Sequence, residues 1–178
     1  MRPDSVYFLF DAVAGKDVCV RFEPLTESDR ATLNEAKWRE ARFRDVWLEW
    51  ARHGVALKLT RCDGEEQPIL GLIRPGMAPS INGRAGALRD SLLETSPAYR
   101  HGTAERRYRG IGRVLGARLV AESNAQGAEG RVLVRPVRDS IPFYRNLGFR
   151  DTPILAYLKI ETREAETLLQ ACTPSSIE

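Results

Sequence analysis

The chain has 178 residues, of which 43% are hydrophobic and 29% are charged, and this predicts a single domain, 1–178, with its own core. No segment approaches the apolar length of a membrane-spanning helix, and the acidic residues among the first 30 positions argue against a signal or transit peptide. The net charge of +3 is too small to indicate a nucleic-acid-binding protein.

Apolar runs and turn residues predict a mixture of strands and helices. The segments with strand-like patterns are 6–10, 18–22, 55–61, 68–74, 87–95, 131–137 and 154–160. The segments with helical spacing are 27–53, with a break expected near 42–44, then 113–126, 139–147 and a tail that ends near 171. The region 75–86 is rich in Gly, Pro, Ser and Asn and is predicted to be a loop.

The three cysteines are Cys19, Cys62 and Cys172. Their number is odd, they lie far apart and none forms a C-x-x-C pair, so we expect neither a disulfide framework nor a metal site. The default expectation is a reduced, cytoplasmic protein.

Positive charge is concentrated around a glycine-rich turn. Residues 100–118 contain six arginines and one acid, Glu105, which gives this segment a charge of +5. Within it, Arg107-Tyr-Arg-Gly110-Ile-Gly112 leads into the helix predicted from 113. Glycines at a helix start allow backbone N–H groups to approach an anion, and the helix dipole favours negative charge there. The turn therefore predicts a ligand that carries phosphate.

Three phosphate-binding motifs were compared with this turn. A P-loop requires Gly-Lys-Ser/Thr at its end, whereas Ala117 follows Gly116 here. A dinucleotide-binding fingerprint requires its third glycine one position earlier than Gly116, and it normally follows the first strand of its fold. The pattern Gln/Arg-x-x-Gly-x-Gly/Ala fits from Arg107 to Gly112 without a mismatch.

That last pattern is the pyrophosphate turn of the GNAT superfamily of N-acetyltransferases, and a second segment also resembles this superfamily. Phe143-Tyr-Arg-Asn-Leu-Gly-Phe149 is similar to its Phe-Tyr-x-x-x-Gly-Phe segment, and the order of predicted elements matches over about residues 17–160. The resemblance implies an α/β (α+β) fold. Its central sheet is mixed, mostly antiparallel and twisted, is flanked by helices, and splays between its fourth and fifth strands. Val6–Phe10 is an additional N-terminal strand, and 97–106 is an insertion before the turn.

The resemblance also implies roles for individual residues. It implies that acetyl-CoA is the co-substrate, held at Arg107, Tyr108, Arg109, Gly110, Ile111, Gly112 and Arg113, and it implies no metal. Tyr144 matches the tyrosine that protonates the departing thiolate, and Glu94 lies where the superfamily often places a general base. Tyr99 and His101, in the insertion, are weaker candidates for the acceptor site. Each of these residues also has a purely structural interpretation, as a packing aromatic or a surface acid.

Two functions from different classes follow from the resemblance. The first is an N-acetyltransferase that moves an acetyl group to a primary amine of a small molecule, a protein or an aminoacyl-tRNA. The second is a non-catalytic CoA-binding domain that regulates or binds a partner protein. Neither needs a membrane, and nucleic acid enters only if the acceptor is aminoacyl-tRNA. The acceptor and the oligomeric state are not predicted by the sequence.

Overall fold

The computed structural model describes residues 6–35, 38, 41–63, 68–81, 84–100, 102–103, 107–154 and 156–172. The strands are β1 Tyr7–Asp11, β2 Lys16–Pro24, β3 Leu57–Arg61, β4 Gly71–Arg74, β5 Ser80–Ile81, β6 Arg84–Ala85, β7 Leu92–Thr95, β8 Tyr108–Arg109, β9 Val132–Val134, β10 Arg150–Asp151 and β11 Leu158–Ile160. The α-helices are α1 Arg30–Glu35, α2 Ala41–Arg52, α3 Ile111–Ala125, α4 Ile141–Asn146 and α5 Thr162–Gln170. None of the helices in these described segments is both long and apolar enough to cross a membrane.

The described strands form a six-stranded sheet in the order β7-β4-β3-β2-β1-β8, a three-stranded sheet in the order β10-β11-β9, and the β5–β6 hairpin. The pairings β1–β2, β2–β3, β3–β4 and β1–β8 are antiparallel. Leu88 makes an isolated parallel bridge to Val132 of β9, whereas β7, which begins four residues later, pairs with β4. The predicted fourth and fifth strands, β7 and β9, therefore belong to separate sheets, and the predicted mixed fold with an additional N-terminal strand is confirmed.

The chain divides into two compact units. The first unit contains Arg2–Arg74 and Leu93–Leu115, and the second contains Pro75–Leu92 and Gly116–Glu178. In the first unit, α1 and α2 bury an apolar cluster whose members are Leu25, Leu33, Trp38, Trp47, Leu48, Ala56, Ile69 and Leu72. At the beginning of α3, the buried Leu115 packs against Gly71 of β4.

The second unit is organised around the remainder of α3, the three-stranded sheet and α5. Val132, Leu133 and Val134 of β9 are all buried, which is typical of a strand covered on both faces. On α5, Ala165 and Leu168 are the buried positions, spaced as one helical face. The helical tail predicted to end near 171 is thereby confirmed as a packed element.

Two expectations about local structure need correction. The break in the first long helix comes earlier than 42–44, because α1 ends at Glu35 and α2 begins at Ala41. The region 75–86, predicted to be a loop, contains the short β5–β6 hairpin.

The expectation about cysteines is also wrong, because Cys19 and Cys62 form a disulfide with a Cα–Cα distance of 5.4 Å. The two residues are 43 positions apart in the sequence. The antiparallel register pairs Val20 with Arg61, which places Cys19 directly opposite Cys62, and the Cys62 N–H donates to the Cys19 carbonyl. The pairing of β2 with β3 brings the two cysteines together, so their spacing along the chain could not have predicted the disulfide. Cys172 is buried and takes no part in a disulfide.

Candidate functional site

The predicted phosphate turn lies between β8 and α3. Gly110 separates them and has φ of +93°, a conformation that side-chain-bearing residues rarely adopt. The Val114 N–H donates to the Gly110 carbonyl at 3.0 Å, as the first i→i−4 bond of α3. The N–H groups of Ile111, Gly112 and Arg113 precede that bond and so have no acceptor within the helix. The turn thus has the backbone geometry of an anion site at a 15-residue helix.

The side chains predicted to bind the cofactor divide into two sets. Those of Tyr108 and Ile111 are buried, so these residues can offer a ligand only their backbone groups. Those of Arg109 and Arg113 are exposed, and neither makes an ion pair with any residue in the described part of the chain. The positive charge available at this turn is therefore that of Arg109 and Arg113.

Arg107, the first residue of the motif, already has a partner. Its Nε and Nη2 each lie 2.9 Å from Oδ2 of Asp11, the last residue of β1. Its guanidinium also lies over the Tyr108 ring, with Cζ 5.2 Å from the ring centroid. Asp11 was not among the predicted site residues. It is 96 positions away in the sequence, and no local pattern links the two.

Glu94 lies on β7, and both of its carboxylate oxygens accept hydrogen bonds. Oε2 accepts from Trp47 Nε1 at 3.0 Å, and Oε1 accepts from Arg100 Nη2 at 2.7 Å. Arg100 also donates from Nε to the Thr95 carbonyl, so the beginning of the insertion is tied to the end of β7. Each carboxylate oxygen has a further lone pair, so Glu94 can still accept a proton from an incoming amine while its two donors fix its orientation.

Trp47 and Arg100 were missed as partners of Glu94. The sequence predicted Trp47 only as part of the helical segment 27–53, and its ring is buried and in edge contact with Trp50. Its indole N–H has the additional role of orienting Glu94. Tyr99 packs its ring against Tyr108, and burial raises the pKa of its phenol. His101 lies outside the described residues.

Tyr144 lies on α4 in the second unit, and its ring is buried between Phe143 and Phe149. Burial raises the pKa of its phenol to about 12, because the phenolate would lose its hydration there. The hydroxyl makes no hydrogen bond to any residue in the described part of the chain. Such a phenol keeps its proton at neutral pH, and no acceptor among the described residues competes for that proton.

The second motif has a physical explanation in the end of α4. Gly148 has φ of +97°, its N–H donates to the Arg145 carbonyl, and the Phe149 N–H donates to the Tyr144 carbonyl. This pair of bonds is the Schellman arrangement, which requires a left-handed residue at the position of Gly148. It turns the chain so that the fully buried Phe149 packs against Tyr144. The glycine and both aromatics of the motif therefore serve to hold the Tyr144 ring.

Comparisons with known proteins were made for the whole chain. No protein-family model matches the sequence, and no curated protein matches it. Several solved structures are similar at low identity. The GCN5-related N-acetyltransferase from Kribbella flavida is 19% identical, with a TM-score of 0.43 over 74% of this chain and 33% of that chain. The chain thus spans about a third of the length of the Kribbella protein.

Two further structures are matched over most of their own length. The Trypanosoma brucei acetyltransferase is 22% identical, with a TM-score of 0.48 over 75% of this chain and 94% of that chain. The GCN5-related N-acetyltransferase from Ralstonia eutropha is 21% identical, with a TM-score of 0.44 over 76% of this chain and 95% of that chain. At these scores the likeness does not by itself assign a function, and the function proposed below rests on the residues of this chain.

Proposed function

We propose that this chain is an acetyl-CoA-dependent N-acetyltransferase of the GNAT type, which moves an acetyl group to a primary amine by direct attack on the thioester. One observation carries the proposal: Gly110, at φ of +93°, turns the chain from β8 into α3 within an Arg-x-x-Gly-x-Gly sequence. That turn gives the amides that follow it the arrangement that a pyrophosphate needs.

The residues around the turn fit a pyrophosphate in charge as well as in shape. The amides of Ile111, Gly112 and Arg113 lie at the positive end of the α3 dipole, which favours an anion. The exposed guanidinium groups of Arg109 and Arg113 add two positive charges to the same segment. The buried side chains of Tyr108 and Ile111 support the turn from inside the first unit.

The proposed chemistry uses one acid and one base. The amine nitrogen attacks the thioester carbonyl carbon, the C–S bond breaks, and the departing thiolate takes the proton of the Tyr144 hydroxyl. The amine loses its own proton to the Glu94 carboxylate, directly or through water, while Trp47 and Arg100 hold that carboxylate in place. A phenol is protonated at neutral pH and so can donate, and the burial that raises the pKa of Tyr144 to about 12 makes it a weaker acid than an exposed tyrosine.

The test combines binding with turnover. We expect CoA and acetyl-CoA to raise the melting temperature, with about 2.7 kcal/mol of added stability at a concentration 100 times Kd. We expect thiol release from acetyl-CoA with at least one member of an amine panel that includes small polyamines, lysine peptides, peptide N-termini and an aminoacyl-tRNA. Binding without turnover on the whole panel would favour the non-catalytic CoA-binding domain. Absence of binding would contradict both functions.

The cellular location is proposed together with the function. An acetyl-CoA-dependent enzyme is expected in the cytoplasm, where disulfides are uncommon, yet Cys19 and Cys62 are bonded in this structure. The reduced and the disulfide-bonded forms of Cys19 and Cys62 can be distinguished by alkylating free thiols in cells before lysis. Reduced Cys19 and Cys62 would support the cytoplasm, and an intact disulfide would contradict it.

A further inference from the structure

The additional strand β1 ends in a carboxylate that is buried at the phosphate turn. Asp11 is only 1% exposed, and its two oxygens accept three hydrogen bonds. Oδ1 accepts from the N–H groups of Val13 and Ala14, at 3.0 and 3.1 Å, and Oδ2 accepts from Nε of Arg107. Nη2 of Arg107 completes an ion pair with the same oxygen at 2.9 Å. Burial alone would raise the pKa of Asp11, but the hydrogen bonds from Ala14, Arg107 and Val13 outweigh it and lower that pKa.

Strand pairing joins the same two segments through the backbone. β1 pairs with β8 in an antiparallel register that sets Phe10 opposite Arg109 and Asp11 opposite Tyr108. The Ala12 N–H then donates to the Arg107 carbonyl at 2.7 Å. All three residues that precede Gly110 are therefore held by the end of β1, and Arg107 is held by both its backbone and its side chain.

This arrangement changes the role expected for Arg107. Two of its guanidinium nitrogens are directed at Asp11, and the carboxylate neutralises its charge. A buried carboxylate beside an anion site would repel phosphate unless it were paired in this way. The ion pair therefore contributes geometry to the turn, whereas Arg109 and Arg113 contribute charge.

We propose that Asp11 is a positioning residue for the phosphate turn: it fixes Arg107, and through Arg107 it holds the β8–α3 turn in the conformation that binds the pyrophosphate of CoA. The proposal rests on the proposed function for its ligand. It assigns to the additional N-terminal strand the preorganisation of the cofactor site, which reduces the ordering cost of binding.

The first test is a double-mutant cycle in which the Kd of CoA is measured by calorimetry. Asp11→Asn keeps the shape of the side chain and an acceptor for Val13 and Ala14 but removes the charge that holds Arg107. We expect this variant and Arg107→Gln each to weaken CoA binding by about tenfold to a hundredfold. The double variant should be about as weak as either single one, because Asp11 acts through Arg107.

Matched controls separate positioning from a direct contact and from a general loss of structure. Arg113→Gln removes an exposed charge, so its effect should shrink as salt rises, whereas the losses in Asp11→Asn and Arg107→Gln should persist in high salt. Asp29→Asn removes the carboxylate of another partly buried ion pair in the first unit, that with Lys58, and should leave the Kd within about twofold of the parent.

The second test does not depend on CoA. Amide hydrogen exchange of the unliganded protein should become faster over residues 107–113 in Asp11→Asn and in Arg107→Gln, and should stay at the parent's rate over α4. CoA binding as tight as the parent's in Asp11→Asn would overturn the proposal, because a released Arg107 would then be a phosphate ligand. If the parent itself does not bind CoA, the proposed function is wrong. Hydrogen exchange at 107–113 then tests by itself whether Asp11 positions the turn. Unchanged exchange at 107–113 would overturn the positioning role, and faster exchange confined there would uphold it.

Discussion

At the scale of single residues, the proposed reaction depends on a phenol that has an apolar environment. Tyr144 is 8% exposed, its ring makes edge contacts with Phe143 and Phe149, and its pKa of about 12 follows from this burial. The environment that holds the ring also disfavours the phenolate form of the hydroxyl. Replacement of the hydroxyl alone should therefore separate its chemistry from its packing.

Tyr144→Phe is expected to lower kcat by about 10²–10⁴-fold, the usual contribution of a general acid. The Kd of acetyl-CoA should change little, because the hydroxyl acts as the thiolate forms. Steady-state kinetics with the best acceptor from the panel measures kcat, and calorimetry measures the Kd of acetyl-CoA. Tyr157→Phe, which removes another tyrosine hydroxyl of the second unit, is the matched control and should keep the parent's kcat. A parent-like kcat in folded Tyr144→Phe would leave Tyr144 with a packing role only.

Tyr144 should also affect stability at alkaline pH. Its pKa is raised in the folded state, from 10.0 to about 12, so the folded protein retains a proton that the unfolded chain releases above pH 10. The free energy of unfolding should therefore fall by up to about 1.4 kcal/mol per pH unit as pH rises from 10 towards 12. Below pH 10, Tyr144 is protonated in both the folded and the unfolded protein, so it causes no loss of stability there. Urea unfolding of the parent and of Tyr144→Phe at pH 9 and pH 11 measures the difference. Equal losses in the two proteins would show that Tyr144 titrates normally.

At the scale of elements, the β8–α3 turn combines a strand held by β1 with a helix that begins at Ile111. Gly112 is the second residue of α3, and the motif that this turn resembles accepts glycine or alanine there. A larger side chain at this position would stand where the first-turn amides meet a ligand, so the effect of a substitution should depend on its size.

Gly112→Val is expected to weaken acetyl-CoA binding strongly, whereas Gly112→Ala should bind within a few fold of the parent. Both substitutions lie in the first turn of a helix, so their circular dichroism spectra should match the parent's. Calorimetric titration of the three proteins makes the comparison. If Gly112→Val bound acetyl-CoA as tightly as Gly112→Ala, the pyrophosphate would have to bind elsewhere.

At the scale of the whole molecule, the Cys19–Cys62 disulfide closes the segment that contains α1 and α2. With a sequence separation of 43, the entropy of the closed loop predicts about 4 kcal/mol of stabilisation relative to the reduced chain. For a protein of this size, 1 kcal/mol corresponds to about 2–4 °C in melting temperature.

Reduction of the disulfide is therefore expected to lower the melting temperature by about 8–16 °C. Thermal unfolding with and without reductant measures the shift. The variant with Cys19→Ser and Cys62→Ser should melt near the reduced parent and should not respond to reductant, which also tests whether buried Cys172 contributes. If the melting temperature of the parent is the same with and without reductant, the protein has no stabilising disulfide in solution.

Local sequence was enough to predict the elements that rely on neighbouring residues. Helical spacing predicted helices at 113–126 and 139–147, and α3 and α4 lie within two residues of these bounds. The additional strand was predicted at Val6–Phe10, and β1 lies one residue further along the chain. The break between α1 and α2 was misplaced by a few residues, because the apolar spacing continues across it.

The sequence by itself determined most of the segments that form strands and helices and the place of the glycine turn before α3, because periodicity and glycine act over a few residues. The resemblance of a short motif made Tyr144 the candidate acid. Tertiary structure alone decided which side chains those groups meet. Asp11 reaches Arg107, Trp47 reaches Glu94, and Cys19 reaches Cys62 across 96, 47 and 43 positions. Each pair is brought together by strand register or by a helix packed on a sheet. Such contacts form only when the chain folds, since nothing in the intervening residues specifies the partner.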